Sequence, residues 1–300
     1  MMQWNLSYQR QVAKDWLVTV NYLGNRTNHI LGAREINPVN PVTGLRYLTS
    51  LNATQGAAYA SIVQTDDGNT SNYNGLLTSV NHRFAKNFTM LMNYTWSRCM
   101  STYDFGGELA GNNYQDPNNR RAEKGPCNYD RRQIFNTSAV FASPGLGQGF
   151  LHTATMGWQV APIVSLNAGQ PLTITDGSNV SLTSVGADRP NTVLTTGVLP
   201  HTLASWFNQA AFALQPAGTF GNTGRDSIIG PGTISWDMSM SRQFKFRERY
   251  RLDFRSDFFN IMNHANWSNP GTALGTASTF GKITTFGSPR LIQLSMKLFF

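Results

Sequence analysis

Charge is scarce in this chain of 300 residues: Asp, Glu, Lys and Arg together make up 13% of it, about half of the share usual in soluble domains. Cysteine is nearly absent, with Cys99 and Cys127 alone, which excludes a disulfide-dense scaffold. Long apolar runs are missing as well. No stretch approaches the roughly 18 to 20 consecutive apolar residues of a membrane helix. A helical membrane protein is therefore excluded, but a strand-built one is not, because alternation of lipid-facing and lumen-facing residues keeps mean hydropathy low.

Signatures of catalysis are missing too. There is no nucleophile elbow, no HExxH and no CxxC, and GLGQG at 145–149 lacks the spacing and following helix of a dinucleotide fingerprint. Histidines at 29, 82, 152, 201 and 264 show no helical metal-ligand spacing. Asp66-Asp67-Gly68 lacks the remaining ligands of a calcium loop and reads as a polar turn. The chain is thus expected to be no enzyme and to carry no cofactor or metal. The net charge of +8 is scattered along the sequence, whereas nucleic-acid binding gathers Lys and Arg on one face, so nucleic acid is not an expected partner. The opening MMQWNLSYQRQ has neither a basic n-region nor an apolar h-region, which points to a cytoplasmic protein or to a piece of a longer chain.

What the chain has in abundance is Gly, Asn, Thr, Ser and aromatics, a mixture suited to strands and turns. Nine segments of nine or more residues alternate with period two. In the first, Met2, Trp4, Leu6 and Tyr8 oppose Gln3, Asn5, Ser7 and Gln9; in the second, Trp16, Val18, Val20 and Tyr22 oppose Thr19 and Asn21. Further apolar rows run through Leu76, Val80 and Phe84, through Phe88, Met90, Met92, Tyr94 and Trp96, through Trp158, Val160, Val164 and Leu166, and through Ile234, Trp236, Met238 and Met240. Around 131–143 the register is ambiguous, since Ile134 and Val140 compete with Phe135 and Phe141 for the apolar side. Pro162 predicts an edge or a bulge. In the eighth segment Tyr250, Leu252, Phe254 and Phe258 alternate with Arg251, Asp253, Arg255 and Asp257. The last sets Ile292, Leu294, Met296, Leu298 and Phe300 against Gln293, Ser295 and Lys297.

Short connections near 11–15, 85–87, 143–153 and 244–249 alternate with long polar ones at about 25–72, 98–130, 175–232 and 263–286. One short-turn end and one long-loop end is the asymmetry of an outer-membrane β-barrel whose short side is periplasmic. Aromatics near the strand ends, Trp4, Trp16, Tyr22, Phe84, Phe88, Tyr94, Trp96, Trp158, Trp236, Phe244 and Tyr250, match its interfacial girdles. The expected fold is all-β, an antiparallel transmembrane barrel that is partial: with an even strand count and both ends periplasmic, nine strands leave at least one missing.

Ordered local patterns add a resemblance. WNLSYQRQ (4–11), VNYLGNRTNHI (20–30), SNYNGLLTSVNHRF (71–84), NYTWSR (93–98), GQPLTIT (169–175), RPN (189–191), WFNQAAF (206–212), FGNTGRDSIIGPG (220–232), FRSDFFNIMNHANW (254–267) and PRLIQLSMKLFF (289–300) together resemble the C-terminal barrel half of the Oar-like TonB-dependent outer-membrane transporters. The resemblance implies a 22-stranded barrel (about that number in the largest plugged transporters) with a plug and a carboxypeptidase-regulatory-like domain outside residues 1–300. It also implies localisation in the bacterial outer membrane, and as partners outer-membrane lipid and lipopolysaccharide, the barrel-assembly machinery, the TonB complex through the N-terminal region, and an unidentified transported ligand. Energised uptake would then belong to the full-length protein. A passive porin-like channel and a soluble extracellular β-sandwich or adhesin are the alternatives.

Four groups of residues are singled out. Cys99 and Cys127 flank a polar, Gly-rich stretch and either close it as a disulfide or stand as two unrelated thiols. Arg251, Asp253, Arg255 and Asp257 would face the lumen, to hold a plug, line a substrate path or simply be solvated. Asp104, Glu108, Asp116, Arg120, Arg121 and Glu123, between the cysteines, would lie outside the cell, to meet ligand or lipopolysaccharide phosphates or be merely hydrated. Leu294, Met296, Leu298 and Phe300 resemble the C-terminal assembly signal of outer-membrane barrels.

Overall fold

The computed structural model describes residues 1–85, 87–103, 114–186, 188–195, 199–246 and 250–300. Nine long strands follow one another as neighbours in a single antiparallel sheet: β1 (Met2–Ala13), β2 (Trp16–Glu35), β3 (Val63–Ala85), β4 (Phe88–Ser101), β5 (Gln133–Ala142), β6 (Trp158–Asn167), β7 (Thr233–Phe246), β8 (Tyr250–Phe259) and β9 (Leu291–Phe299). A two-residue strand, Gly125–Pro126, adds to β4. Among the described residues β1 pairs only with β2 and β9 only with β8, so the sheet is open. The hairpin β1–β2 closes through two residues after the pair Ala13–Trp16; the last β3–β4 pair is Ala85–Phe88, and Asn87 beside it takes a left-handed φ of 64° of the kind tight hairpins use. The turn expected at 244–249 includes residues 247–249, which lie outside the described residues.

Register aligns the side chains into rows across the strands. Leu6, Tyr22, Leu76 and Trp96 form one rung, and Phe88, Phe141, Val160 and Met240 another. On this face, aliphatic residues such as Val18, Val20, Val80, Met90, Met92 and Val164 occupy the middle. Aromatics stand at both ends, with Trp16, Phe88, Trp158 and Phe244 towards the short turns and Trp4, Tyr22, Trp96 and Trp236 towards the long loops. From Phe88 to Trp96 the strand rises about 26 Å, the height of a lipid-facing band. The Phe84 side chain lies outside the described residues. Gly24 makes room for the end of one row: a Cβ there would sit 2.1 Å from the Trp4 indole.

The pairings settle one ambiguity and correct two expectations. Phe135 and Phe141 share the apolar face with Tyr94 and Phe88, while Ile134 and Val140 lie opposite Thr95 and Thr89 on the other one. Pro162 makes neither an edge nor a bulge. It sits in a central strand opposite Met238, and the β5–β6 ladder lapses only between Ser138–Ile163 and Phe141–Val160 before resuming in the same register, because proline has no N–H to offer there. The connection expected at 25–72 shrinks to 36–62, since β2 and β3 run 20 and 23 residues. Their outer parts pair polar residues such as Asn25–Tyr73 and Thr27–Ser71, a ladder that needs no apolar face once it has left the hydrocarbon.

The largest difference concerns the long connections. The hydrophobic core of the chain lies in the connections 168–232 and 260–290, where Ile174, Trp206, Phe207, Ala211, Phe212, Ile228, Phe280 and Ile283 are buried together. Phe207 meets Phe212 and Phe280 edge to face, with ring centroids 5.6 and 5.0 Å apart. Short pairings of Pro171–Leu172 with Ile228–Ile229 and of Asn191–Thr192 with Phe212–Ala213 brace the packing. These segments form a folded cap at one end of the sheet.

Placing Arg at Val164, on the apolar face of a central strand, is expected to cost about 2–4 kcal/mol of folding stability in lipid. Ser165→Arg, one residue on, is expected to cost far less. Urea unfolding in phospholipid vesicles measures both; equal costs would deny the assignment of faces.

Candidate functional site

Two surfaces offer polar chemistry: the second face of the sheet and the cap. On the sheet, Arg251, Asp253, Arg255 and Asp257 alternate along β8 on the face opposite the aliphatic rows. They pair along their own strand, Arg251 Nε with Asp253 Oδ1 at 3.0 Å and Arg255 Nε with Asp257 Oδ2 at 2.8 Å. The Arg251 guanidinium also lies over the Phe299 ring, 4.1 Å from its centroid. Gln243 and Lys297 flank Asp253, and Ser241 and Ser295 flank Arg255. These groups, with Gln159 and Lys245, line a cleft of about 840 Å³ near the short-turn end. The polar face is not uniformly polar. Leu17, Leu77, Leu91, Ile134, Val140 and Ile163 share it by register.

On the apolar face, Leu294, Met296 and Leu298 of β9 continue the rows of Ser256, Phe254 and Leu252, and Phe300 is exposed. Near the long-loop end, Arg98 is paired with Asn74 two residues beyond Trp96. Arg132 shares with it a groove floored by Tyr22, Leu76 and Trp96, and Arg26 and Lys124 share a second, polar one.

In the cap, Cys99 at the end of β4 is joined to Cys127, with Cα atoms 5.4 Å apart. The Asp130 carboxylate accepts the Cys99 N–H at 2.9 Å, and its burial pushes its pKa upward against the nearby Arg132 and Arg98. Of the charged residues between the cysteines, Asp104 and Glu108 lie outside the described residues. Glu123 is not on the surface. It is fully buried and accepts two hydrogen bonds from the buried Arg189, Nη1 to Oε2 at 2.6 Å and Nη2 to Oε1 at 3.0 Å. Arg120 is likewise engaged, with Asp66 and with the Tyr114 hydroxyl. Asp116 caps its own turn through Asn118 N, so Arg121 alone of the described set is exposed and without such a contact.

The Glu123–Arg189 pair is the centre of a wider network. Gln115 donates its backbone N–H to Glu123 Oε1, and its side chain accepts the Arg189 N–H and donates to the Gly221 carbonyl. Arg225 donates Nε to the Glu123 carbonyl and Nη2 to the Ser101 carbonyl, and Nη1 to Asp226, which also accepts from Thr173. Connections 102–132 and 168–232 are thereby fastened to each other and to the end of β4. The patterns RPN and FGNTGRDSIIGPG supply Arg189, Gly221, Arg225 and Asp226 of this network, while WFNQAAF supplies the packed Trp206, Phe207 and Phe212. Gly221 is required because a Cβ would lie 1.9 Å from the Arg189 carbonyl oxygen.

A meander of strands with an aliphatic belt between aromatic rows, short turns at one end and a loop-built cap at the other defines a wall of an outer-membrane β-barrel. The chain belongs to the outer membrane β-barrel domain family, whose model matches residues 1–293, and its place is the bacterial outer membrane. Among solved structures it is similar in fold to the outer membrane transporter YddB from Escherichia coli, with a TM-score of 0.57 and 10% identity over 99% of this chain. It also aligns with BauA, the ferric preacinetobactin receptor from Acinetobacter baumannii, with a TM-score of 0.48 and 10% identity over 99% of this chain. It spans 32% and 29% of those chains. A search of curated proteins returns no match.

Removing one partner of the buried pair, as in Arg189→Met, leaves Glu123 charged and unpaired and is expected to cost about 3–5 kcal/mol. Replacing both, as Glu123→Leu with Arg189→Met, is expected to cost less than the single change. Thermal unfolding of the cap, followed by limited proteolysis between residues 168 and 232, tests the order; a harmless single variant would contradict it.

Proposed function

We propose that this chain is the C-terminal portion of the barrel of an Oar-like TonB-dependent transporter, and that in the full-length protein it forms wall and cap around a plug during energised uptake of a ligand. The observation that carries the reading is the open sheet of nine neighbouring strands. Its two unpaired edges need further strands, because unsatisfied backbone groups are not tolerated in hydrocarbon. The ordered motifs shared with that transporter group support the particular assignment, and the inward Leu17, Leu77 and Leu91 offer apolar contact to a plug that a water-filled pore would leave wet. In this reading Arg251, Asp253, Arg255 and Asp257 face the lumen, where their charges steer the plug or the ligand.

Two partners follow from the outward face. Arg98 and Arg132 above an apolar groove, with Arg26 and Lys124 beside them, suit the phosphates and acyl chains of lipopolysaccharide at the outer interface. Leu294, Met296, Leu298 and Phe300 act as the signal read by the barrel-assembly machinery.

The intact protein is expected to bind the periplasmic domain of TonB and to show no open-channel conductance in planar bilayers. Absence of TonB binding together with a steady conductance would replace the reading by a passive pore. Deletion of Phe300 is expected to lower the heat-modifiable, outer-membrane-inserted fraction several-fold; unchanged insertion would remove the assembly role.

A further inference from the structure

One cluster in the cap is unexplained by packing or by the arginine network. Asp176, Asp188 and Gln215 are 1%, 2% and 4% exposed. The Asp176 N–H donates to the Asp188 carbonyl at 3.0 Å, which holds the two residues side by side. Gln215 Nε2 donates to Asp176 Oδ2 at 2.7 Å, and the Ser181 N–H to Asp188 Oδ2 at 2.7 Å. Each side chain then has one buried oxygen with no hydrogen-bond partner: Asp176 Oδ1, Asp188 Oδ1 and Gln215 Oε1.

Buried carboxylates are ordinarily neutralised or paired with a cation, because an isolated buried charge costs several kcal/mol or more. Among the described residues no basic side chain pairs with Asp176 or Asp188. Arg189, next to Asp188 in sequence, is spent on Glu123. Buried polar atoms without partners call for an ion or a water. Two carboxylate oxygens and an amide carbonyl, all hard donors, are the kind of set that calcium takes in loop-built sites.

We propose that Asp176, Asp188 and Gln215 form a Ca²⁺ site that clamps the backbone at residues 176 and 188 to residue 215 and so completes the cap. Calcium is favoured over magnesium because the donors come from irregular loop segments, whereas Mg²⁺ demands a near-ideal octahedron and gives up water reluctantly. The site differs from Asp66-Asp67-Gly68, where Asp66 is already paired with Arg34 and Arg120. It is independent of what the barrel transports.

The test uses the intact protein in detergent micelles, free of lipopolysaccharide and stripped of metal with EGTA. Calorimetric titration with CaCl₂ is expected to show one site with a Kd on the order of 0.1–1 mM, as in extracellular calcium modules. Saturating Ca²⁺ is expected to slow proteolysis between residues 175 and 231 about tenfold, the ratio of bound to free site at roughly ten times Kd. The Asp176→Asn, Asp188→Asn double variant should lose both effects. Gln215→Met, which keeps both carboxylates and guards against a double variant that does not fold, should weaken binding several-fold. No heat of binding up to roughly 10 mM Ca²⁺, unchanged binding in Gln215→Met, or equal affinity for Mg²⁺ would overturn the proposal.

Discussion

The sheet of this chain follows from the requirement that a strand crossing hydrocarbon satisfy its backbone through its neighbours and show lipid only apolar side chains. A helix meets the first demand alone. A strand meets it only in a sheet, and period-two geometry then dictates that the two demands fall on opposite faces. The nine-strand meander, its aliphatic belt and its aromatic ends are the consequence. So is the low share of charged residues, since half of each spanning strand is closed to them.

That constraint explains how much could be read from sequence. Existence and order of the nine strands were legible, because rows such as Met90, Met92 and Tyr94 repeat over enough residues to be unambiguous. The placement of Arg251, Asp253, Arg255 and Asp257 on the face opposite the aliphatic rows was legible for the same reason. Where both faces carry apolar residues, as with Ile134 and Phe135, periodicity could not choose, and only the ladder with Thr95 and Tyr94 does. The upper parts of β2 and β3 were read as loop because their polar residues no longer face lipid, so the hydropathy signal ended while the hydrogen-bonded ladder went on.

The cap was the part least legible. WFNQAAF and FGNTGRDSIIGPG were recognised as patterns, but the packing of Phe207 against Phe280, or of Glu123 against Arg189, joins residues 73 and 66 positions apart with no local period to announce them. Glu123 was expected to meet solvent or ligand, as isolated loop charges usually do. Its burial shows that the described parts of the long connections pack together. Their apolar core, a disulfide and two buried arginines hold them as a folded unit on the end of the sheet.

The central claim is that one face of this sheet meets lipid while the other meets water. It is tested most directly by a spin-label scan of β4 from Thr89 to Trp96 in bilayers, using single introduced cysteines with Cys99 and Cys127 replaced. Labels at 90, 92 and 94 should collide with lipid-soluble oxygen, and labels at 89, 91, 93 and 95 with a polar nickel reagent or with a covering plug, giving a period of two. Protection of 90, 92 and 94 from both reagents, as in a dry core between two stacked sheets, would contradict the account.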